Sequence, residues 1–177
     1  LVVVPLPPMS TPVEIASRVR HARCRAVIAA PGCAPRVAEA VPELVCHAPA
    51  TLCASPIPLG VPADLPADAL AMLLYTSGTT GAPRGVMITH ASLITHTASI
   101  VHHVLGLDAS DVVAGFLPLS HSYGVRMTLL APFYAGAKTV LMPRFDAGRA
   151  LAHAHAEGIT WWPMVPTMAS AIAREPA

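Results

Sequence analysis

The residues of this chain that are best suited to chemistry lie in one stretch, residues 76–85. These ten positions hold four hydroxyl residues, three glycines and one arginine. Glycine lets the backbone turn successive N–H groups inward, where they form a concave site for an anion. Hydroxyls add neutral donors, and the arginine adds a fixed positive charge. This combination fits a polyphosphate. The candidate binding residues are Thr76, Ser77, Gly78, Thr79, Thr80, Gly81, Arg84 and Gly85.

The spacing of the glycines separates this stretch from a Walker A loop. That loop has four residues between its glycines, followed by Gly-Lys and a hydroxyl residue. Here the glycines fall at positions 78, 81 and 85, and Arg84 precedes the last of them. A surface turn that binds nothing is the alternative interpretation, because short loop motifs recur by chance. An apolar run over residues 69–75 leads into the stretch and predicts a buried strand.

A second candidate site is centred on His121. This histidine lies in residues 120–124, which we predict as the loop after a buried strand over residues 112–119. In open α/β sheets, ligands bind beyond the carboxyl ends of the strands. Because both candidate loops follow strands, we expect them to open on one crevice. The alternative for His121 is a half-buried histidine that only holds a turn.

Together the two stretches resemble the AMP-forming adenylate enzymes: acyl-CoA synthetases, aryl- and coumarate–CoA ligases, luciferases and the adenylation domains of peptide synthetases. Residues 76–85 are similar to that family's Ser/Thr-Ser-Gly-Thr-Thr-Gly-x-Pro-Lys-Gly signature, with Arg84 where lysine is usual. Residues 117–124 are similar to its Leu-Pro-Leu-Phe-His-x-x-Gly motif, with Ser120 in place of the usual aromatic residue. The resemblance covers essentially the whole chain in the correct order.

The resemblance implies an acid–thiol ligase that uses ATP, Mg²⁺ and coenzyme A. The carboxylate of a small-molecule acid would attack the α-phosphate of ATP, and a thiol would then displace AMP from the acyl-adenylate. By the same resemblance, residues 76–81 would wrap the β- and γ-phosphates, and Arg84 would pair with the departing pyrophosphate. His121 would help to orient the carboxylate. Thr76 or Thr80 could supply a hydroxyl to Mg²⁺, which prefers oxygen ligands.

Two other functions stay open at this point. An adenylation domain that loads the phosphopantetheine of a carrier protein would share both motifs. A non-catalytic module that binds a nucleotide or a partner would also keep the phosphate loop. Fatty, aromatic and amino acids all stay open as substrates, with fatty or aryl acids favoured.

Segments that the family carries elsewhere do not occur in this sequence. These are the Tyr-Gly-x-Thr-Glu segment with its magnesium-binding glutamate, the Thr-Gly-Asp segment, and the small domain with its lysine. We therefore expect the 177 residues to be a piece of a longer protein, from its large N-terminal domain. We also expect this piece alone to be inactive.

Composition and charge exclude several classes of protein. Apolar residues make up 54% of the chain and charged residues 12%, which excludes a disordered chain. The net charge of +1 has no basic block, so we expect no nucleic-acid partner. Residues 86–107 lack Asp, Glu, Lys and Arg but carry histidines and hydroxyls, so we expect no transmembrane segment. The opening residues have no basic region typical of a signal peptide, which favours a cytoplasmic protein.

The cysteines and histidines indicate no further site. The four cysteines form no Cys-x-x-Cys pair, and we expect buried free thiols in a reducing cytosol. The nine histidines do not have metal-ligand spacing. For example, His153 and His155 are two residues apart in a helical pattern and would point to different faces.

Strands and helices alternate along the chain, which predicts an α/β fold with largely parallel sheets covered by helices. The resemblance identifies residues 1–177 as a partial N-terminal AMP-binding domain of the acyl-CoA synthetase-like fold. Within it, residues 1–47 would be a first βαβ portion, 48–68 a proline-rich connector, and 69–177 the phosphate-loop portion. Further strands are predicted over residues 2–4, 25–29, 43–47, 138–142 and 159–162.

Capping residues predict where several helices begin and end. Thr11, Pro12 and Glu14 form a helix start with a hydroxyl cap, a proline and an acidic third residue. Asp146 would cap a helix that ends before Gly158. Other helices are predicted over residues 35–40, 90–105 and 125–134, and from position 165 onward.

Overall fold

In the computed structural model, which describes residues 1–54, 64–76 and 84–176, the chain divides into two units. The first unit is Leu1–Thr89 and the second is His90–Ala177. Each unit has its own buried apolar side chains.

The first unit begins with a parallel pair of strands covered by two helices. Its elements in chain order are α1 (Pro12–His21), β1 (Ala26–Ile28), α2 (Ala34–Ala40), β2 (Val45–His47) and α3 (Pro49–Ala54). Strands β1 and β2 pair in parallel, with Val27 opposite Cys46. Ile15 and Val19 of α1 pack with Val37 of α2 in the core between the helices. Strand β1, helix α2 and strand β2 form a β–α–β unit, whereas the predicted strand over residues 2–4 does not pair with β1, since Val3 bridges to Met72 instead.

The start of α1 has the predicted capping box. The Thr11 hydroxyl accepts a hydrogen bond from the Glu14 backbone N–H at 3.3 Å, and the Thr11 N–H donates to a Glu14 carboxylate oxygen at 2.8 Å. These bonds satisfy two of the N–H groups that a helix start leaves without partners. Hydrogen bonds from the Thr11 backbone and side chain also lower the pKa of Glu14.

We expect Thr11→Ala to reduce the free energy of unfolding by about 1 kcal/mol, since it removes the hydroxyl cap. Urea denaturation of the parent and the variant measures this difference. The carboxylate of Glu14 supports the cap above its unfolded-state pKa, and that support is lost as the pH falls through its lowered folded-state pKa. The difference in the free energy of unfolding between the parent and the variant should therefore become smaller at acidic pH. An equal stability at neutral pH would contradict the assignment of Thr11 as a cap.

The first unit ends in an antiparallel hairpin. Strand β3 (Leu70–Thr76) pairs with β4 (Arg84–Thr89), and the register places Thr76 opposite Arg84. On its other side β3 forms a parallel bridge to Val3, whose N–H donates to the Ala71 carbonyl at 3.0 Å. Ala71, Met72 and Leu74 are buried, so β3 is the apolar strand that its sequence predicts.

The second unit is organised around strand β5 (Val112–Gly115). It pairs in parallel with β6 (Lys138–Leu141) on one side, and it forms a parallel bridge to Trp161 on the other. Its central residues Val113 and Ala114 are fully buried. The remaining helices are α4 (His90–Ile100), α5 (Ser122–Gly124), α6 (Ala131–Ala135), α7 (Ala147–Glu157) and α8 (Pro166–Ile172).

Two helices of the second unit contain π-helical segments where the sequence predicts regular α-helix. Val101–Leu105 continues α4, and Val125–Leu130 joins α5 to α6. The predicted ends are correct: Gly106 ends the first helix with a φ of 61°, and Gly158 ends α7 with a φ of 64°. Asp146 caps α7 as predicted, since its side chain accepts a hydrogen bond from the Arg149 N–H.

Several predicted strands are shorter than expected, and proline explains two of them, before Pro5 and Pro163, because it has no N–H for a ladder. Residues 2–4 form a single bridge before Pro5, and residues 159–162 form a single bridge before Pro163. The strand predicted over 112–119 ends at Gly115, three residues before Pro118. The strand predicted over 43–47 is limited to β2, and the one over 25–29 to β1.

The part predicted as a proline-rich connector, residues 48–68, contains helix α3. Residues 55–63 of that connector lie outside the described residues. The cysteine prediction was wrong in part: all four thiols are free, but Cys24 and Cys33 are half-buried while Cys46 and Cys53 are exposed. Strand β2, which carries Cys46, has no fully buried residue and lies at the surface of its unit.

The α/β fold with parallel strand pairs is confirmed, and the β3–β4 hairpin is its antiparallel exception. Within the described ranges, no helix is both long and apolar enough to cross a membrane.

Candidate functional site

The two ends of the candidate phosphate loop are fixed by the β3–β4 hairpin. Thr76 is the last residue of β3, Arg84 is the first of β4, and the two are directly paired. Paired residues of antiparallel strands place their side chains on the same face, with Cβ atoms roughly 5 Å apart. Both side chains are exposed. A hydroxyl and a guanidinium therefore lie side by side at the base of residues 77–83.

Residues 77–83 lie outside the described residues. The candidate binding residues among them are Ser77, Gly78, Thr79, Thr80 and Gly81. The described site residues of the first unit are Thr76, Arg84 and Gly85, and Arg84 forms none of the ion pairs of the described chain.

Tyr75 anchors the base of this hairpin to helix α1. Its hydroxyl donates to the Arg18 carbonyl oxygen at 3.3 Å and lies 2.6 Å from Nδ1 of His21. Both contacts are satisfied when His21 carries its proton on Nδ1 and donates to the tyrosine oxygen. Burial raises the pKa of Tyr75, which keeps the hydroxyl protonated as a donor. Sequence reasoning missed this residue, because its partners are more than fifty positions away along the chain.

Gly85 lies opposite Tyr75 in the hairpin register. A Cβ atom at position 85 would lie 3.4 Å from Cζ of the Tyr75 ring, which is ordinary van der Waals contact. The absence of a side chain leaves one face of this ring open to the backbone of β4. Position 85 therefore belongs to the strand that borders the loop, on the face opposite Thr76 and Arg84.

His121 lies in the second unit, six residues beyond the end of β5, and is exposed. It is the N-cap residue of the helical segment that starts at Ser122, so the predicted loop over 120–124 is shorter than expected. Its Nδ1 accepts a hydrogen bond from the Tyr123 N–H at 3.2 Å. An Nδ1 that accepts must be unprotonated, so the neutral ring carries its proton on Nε2. That N–H has no partner among the described residues and can donate to a ligand.

Gly124 fixes the backbone that carries His121. A Cβ atom at this position would lie 2.1 Å from the Pro118 carbonyl oxygen and 2.7 Å from the Pro118 carbonyl carbon. The first helical turn therefore packs directly on the carbonyl group of the Pro118–Leu119 peptide, which only glycine permits. The motif glycine thus has a steric role that holds the imidazole beyond the carboxyl end of β5.

A basic side chain that the sequence analysis did not single out lies one helical turn beyond His121. Nε of Arg126 donates to the Ser122 hydroxyl at 3.2 Å, and its Nη1 is hydrogen-bonded to Nδ1 of His96 in helix α4. Burial lowers the pKa of Arg126. Burial, and then the charge of Arg126, lower the pKa of His96, which favours the neutral imidazole.

The predicted magnesium ligands are Thr76 and Thr80, and Thr80 is outside the described residues. The exposed Thr76 hydroxyl, which borders the loop, is a neutral oxygen of the kind that Mg²⁺ accepts. Within residues 1–54, 64–76 and 84–176 there is no group of three His, Cys, Asp or Glu side chains that could hold a metal ion.

By the role that the resemblance implies for His121, we expect His121→Asn to lower the rate at which the carboxylate substrate is activated by about ten-fold, which corresponds to one lost hydrogen bond to a charged group. Asparagine is a good N-cap, so the variant should keep the helix start and its thermal unfolding temperature. The rate of acid-dependent AMP formation in the full-length protein measures the effect. A variant with full activity would show that His121 only caps its helix.

The comparisons with known proteins agree on one family. The whole chain, residues 1–177, matches the family model described as AMP-binding enzyme. The chain therefore belongs to the AMP-binding enzyme family, as the resemblance of its two motifs predicts.

Two relatives illustrate the similarity. The chain is 35% identical over 184 residues to 4-coumarate–CoA ligase 5 of Oryza sativa subsp. japonica, an alignment that covers 96% of this chain and 34% of the relative. It is 37% identical over 124 residues to sulfoacetate–CoA ligase of Cupriavidus necator, covering 70% of this chain and 23% of the relative. The chain thus spans about a third or less of the length of these relatives.

Solved structures share the fold. A putative long-chain-fatty-acid CoA ligase from Rhodopseudomonas palustris superposes with a TM-score of 0.87 at 25% identity, covering 99% of this chain and 47% of that one. ATP-bound MatB from the same organism superposes with a TM-score of 0.86 at 24% identity, covering 98% of this chain and 36% of that one. The predicted acyl-CoA synthetase-like N-terminal fold is therefore confirmed.

Proposed function

We propose that the protein containing this chain is an ATP-dependent, AMP-forming acid–CoA ligase. The observation that carries the proposal is the Thr76–Arg84 pair. In a chain of the AMP-binding enzyme family, this pair holds a hydroxyl and a guanidinium at the base of a Gly- and Thr-rich loop. Both 4-coumarate–CoA ligase 5 and sulfoacetate–CoA ligase are CoA ligases by name, which supports the same chemistry here.

The reaction has two steps. A carboxylate oxygen of the acid attacks the α-phosphorus of ATP, and pyrophosphate leaves with its bonding electrons. The sulfur of coenzyme A, having lost its proton, then attacks the acyl carbon, and AMP leaves. The first step concentrates negative charge on the phosphates, so positioning and electrostatic stabilisation supply most of the catalysis.

Each candidate residue has a role in the first step. Arg84 pairs with the departing pyrophosphate through its fixed charge and planar donors. The loop residues contribute hydroxyls and backbone N–H groups to the β- and γ-phosphates. These residues are Thr76, Ser77, Gly78, Thr79, Thr80, Gly81 and Gly85.

The magnesium ion would neutralise phosphate charge, with Thr76 or Thr80 as a hydroxyl ligand. His121 would donate from Nε2 to the substrate carboxylate or to the acyl-adenylate oxygen that derives from it. The Tyr123 N–H donates to Nδ1 of His121, which favours the tautomer with its proton on Nε2. This tautomer supports the proposed role. Coenzyme A is the proposed acceptor, rather than the phosphopantetheine of a carrier protein, because both named relatives above act on coenzyme A.

For the carboxylic acid substrate we propose a chemical class and not a single compound. The named relatives include a ligase for an aryl acid and one for a short sulfonated acid, so aryl acids are favoured over long fatty acids. A cytoplasmic location is proposed because ATP and coenzyme A are available there and all four thiols are free.

The experiment is an assay of the full-length protein with ATP, Mg²⁺, coenzyme A and a panel of fatty, aryl and short polar acids. We expect acid-dependent release of AMP, and an acyl-CoA whose mass matches the acid added. Release of ADP, or AMP formation that does not depend on an acid, would contradict the proposal.

A further inference from the structure

Among the described residues, the half-buried Arg126 side chain has no acidic partner. Its two hydrogen-bond partners are a hydroxyl, on Ser122, and an imidazole, on His96. In the part of the chain that the structure describes, the ion pairs join other residues: Arg18 with Glu14, Arg20 with Glu43, and Lys138 with Glu157. The charge of Arg126 is therefore not neutralised within the described chain.

A bound anion would stabilise this charge, because part of the guanidinium is already removed from water. Arginine stays protonated at neutral pH even when burial lowers its pKa, because that pKa starts far above neutrality. Its neighbour His96 has a lowered pKa and accepts a hydrogen bond, so it contributes no compensating charge. Charged groups that leave water are usually paired, since desolvation penalises an isolated charge.

The position of this charge connects it to the proposed acid site. Ser122 follows His121 directly in the chain, and its hydroxyl accepts from Arg126. The same short helical region therefore carries the imidazole proposed to orient the reacting carboxylate and an unneutralised guanidinium. The Ser122 and His96 contacts hold the guanidinium through Nε and Nη1, and Nη2 has no hydrogen-bond partner among the described residues.

We propose that Arg126 binds a second anionic group of the substrate acid, a carboxylate or a sulfonate at the end remote from the reacting carboxylate. The enzyme would then prefer acids with two anionic groups over acids of the same length with one. This inference rests on the proposed function and names the substrate class of the same site.

The rival explanation is structural. Arg126 could serve only to tie helix α4 to the π-helical segment Val125–Leu130 through its bond to His96. A structural tie would change stability or the rates with all acids equally. An anion-binding role would change the ratio of kcat/KM for dianionic acids to kcat/KM for monoanionic acids. This ratio of kcat/KM values is therefore the quantity to measure.

The first arm compares three acids of matched length in the full-length protein: butyrate, succinate and β-sulfopropionate. A second pair compares cinnamate with para-carboxycinnamate. We expect kcat/KM for the dianionic acid to exceed that for its monoanionic match by about ten-fold or more, the value of one hydrogen-bonded charge pair. Whether succinate or β-sulfopropionate is preferred identifies the second group as carboxylate or sulfonate.

The second arm uses Arg126→Met, which keeps the length of the side chain and removes its charge. We expect the preference for dianionic acids to disappear, while kcat/KM for the monoanionic acids is unchanged or rises. Arg126→Lys should keep part of the preference. The exposed Arg174→Met in the same unit is the matched control and should leave every ratio unchanged.

The outcomes separate this inference from the function on which it rests. Activity with monoanionic acids but no preference for dianionic ones in the parent protein overturns the inference alone. A preference that survives in Arg126→Met also overturns it. AMP formation with no acid at all removes the proposed ligase function, and this inference with it.

Discussion

Replacing Gly124 with alanine is expected to destabilise the second unit by about 3 kcal/mol, at the upper end of the cost of overpacking a filled site. The added Cβ would lie 2.1 Å from the Pro118 carbonyl oxygen, and no rotamer change can relieve a contact between two backbone-fixed atoms. Helix propensity alone predicts the opposite sign, since alanine favours helix over glycine by up to about 1 kcal/mol. The steric term is larger, so we expect a net loss.

Urea denaturation of the parent, Gly124→Ala and Gly32→Ala measures this effect. Gly32 is the matched control, because a Cβ at that position meets no atom within 4 Å. Gly32→Ala should leave the unfolding midpoint unchanged or raise it slightly. A Gly124→Ala variant as stable as the parent would show that the helix start is not packed on the carbonyl group of the Pro118–Leu119 peptide.

Replacing Arg84 with alanine is expected to lower kcat/KM for ATP in the full-length protein by about 10- to 100-fold. This range corresponds to the loss of a charge-assisted hydrogen bond of about 1.5–3 kcal/mol. The side chain is exposed and forms no ion pair in the described chain, so its removal should not affect folding. We expect kcat/KM for ATP to fall and the KM for coenzyme A to stay unchanged.

Arg84→Lys tests whether charge or shape matters at this position, where the family usually has lysine. We expect it to keep most of the activity, because lysine supplies the same charge with a more compact head. The exposed Arg25, in the same unit, provides the control Arg25→Ala, which should have parental kinetics. Unchanged kinetics in Arg84→Ala would remove the proposed role of Arg84 with pyrophosphate.

Local chemistry made parts of this fold predictable from the sequence. The capping box at Thr11 and the cap at Asp146 depend on residues three positions apart, and both are present. The left-handed glycines at 106 and 158 end their helices as predicted, because few other residues adopt that conformation without cost. The apolar run before Thr76 is strand β3, as its composition indicates.

Features that depend on distant residues were not predictable in this way. The strand pairing that sets Thr76 opposite Arg84 is antiparallel, whereas alternation of strands and helices favours parallel pairs. The anchoring of Tyr75 on α1 and the contact of Arg126 with His96 join residues thirty or more positions apart. The steric need for Gly124 comes from a peptide that folds back on the helix, and no local pattern signals it.

The candidate site also has a part that the local sequence predicts and a part that depends on distant residues. The sequence motifs identified Thr76, Arg84, Gly85 and His121, and the structure adds how the hairpin and the helix start hold the described residues. The expectation that the two loops open on one crevice stays a prediction, since it concerns two units that are described separately.

The most direct test of the proposed ligase function follows a labelled carboxylate oxygen of the acid into the products. The full-length protein is supplied with ATP, coenzyme A and an acid whose carboxylate is labelled with heavy oxygen, and the AMP is analysed by mass spectrometry. Attack of the carboxylate on the α-phosphate predicts that one labelled oxygen is transferred to each AMP, with none in pyrophosphate. AMP without label, or label in pyrophosphate, would contradict the adenylation of an acid by this protein.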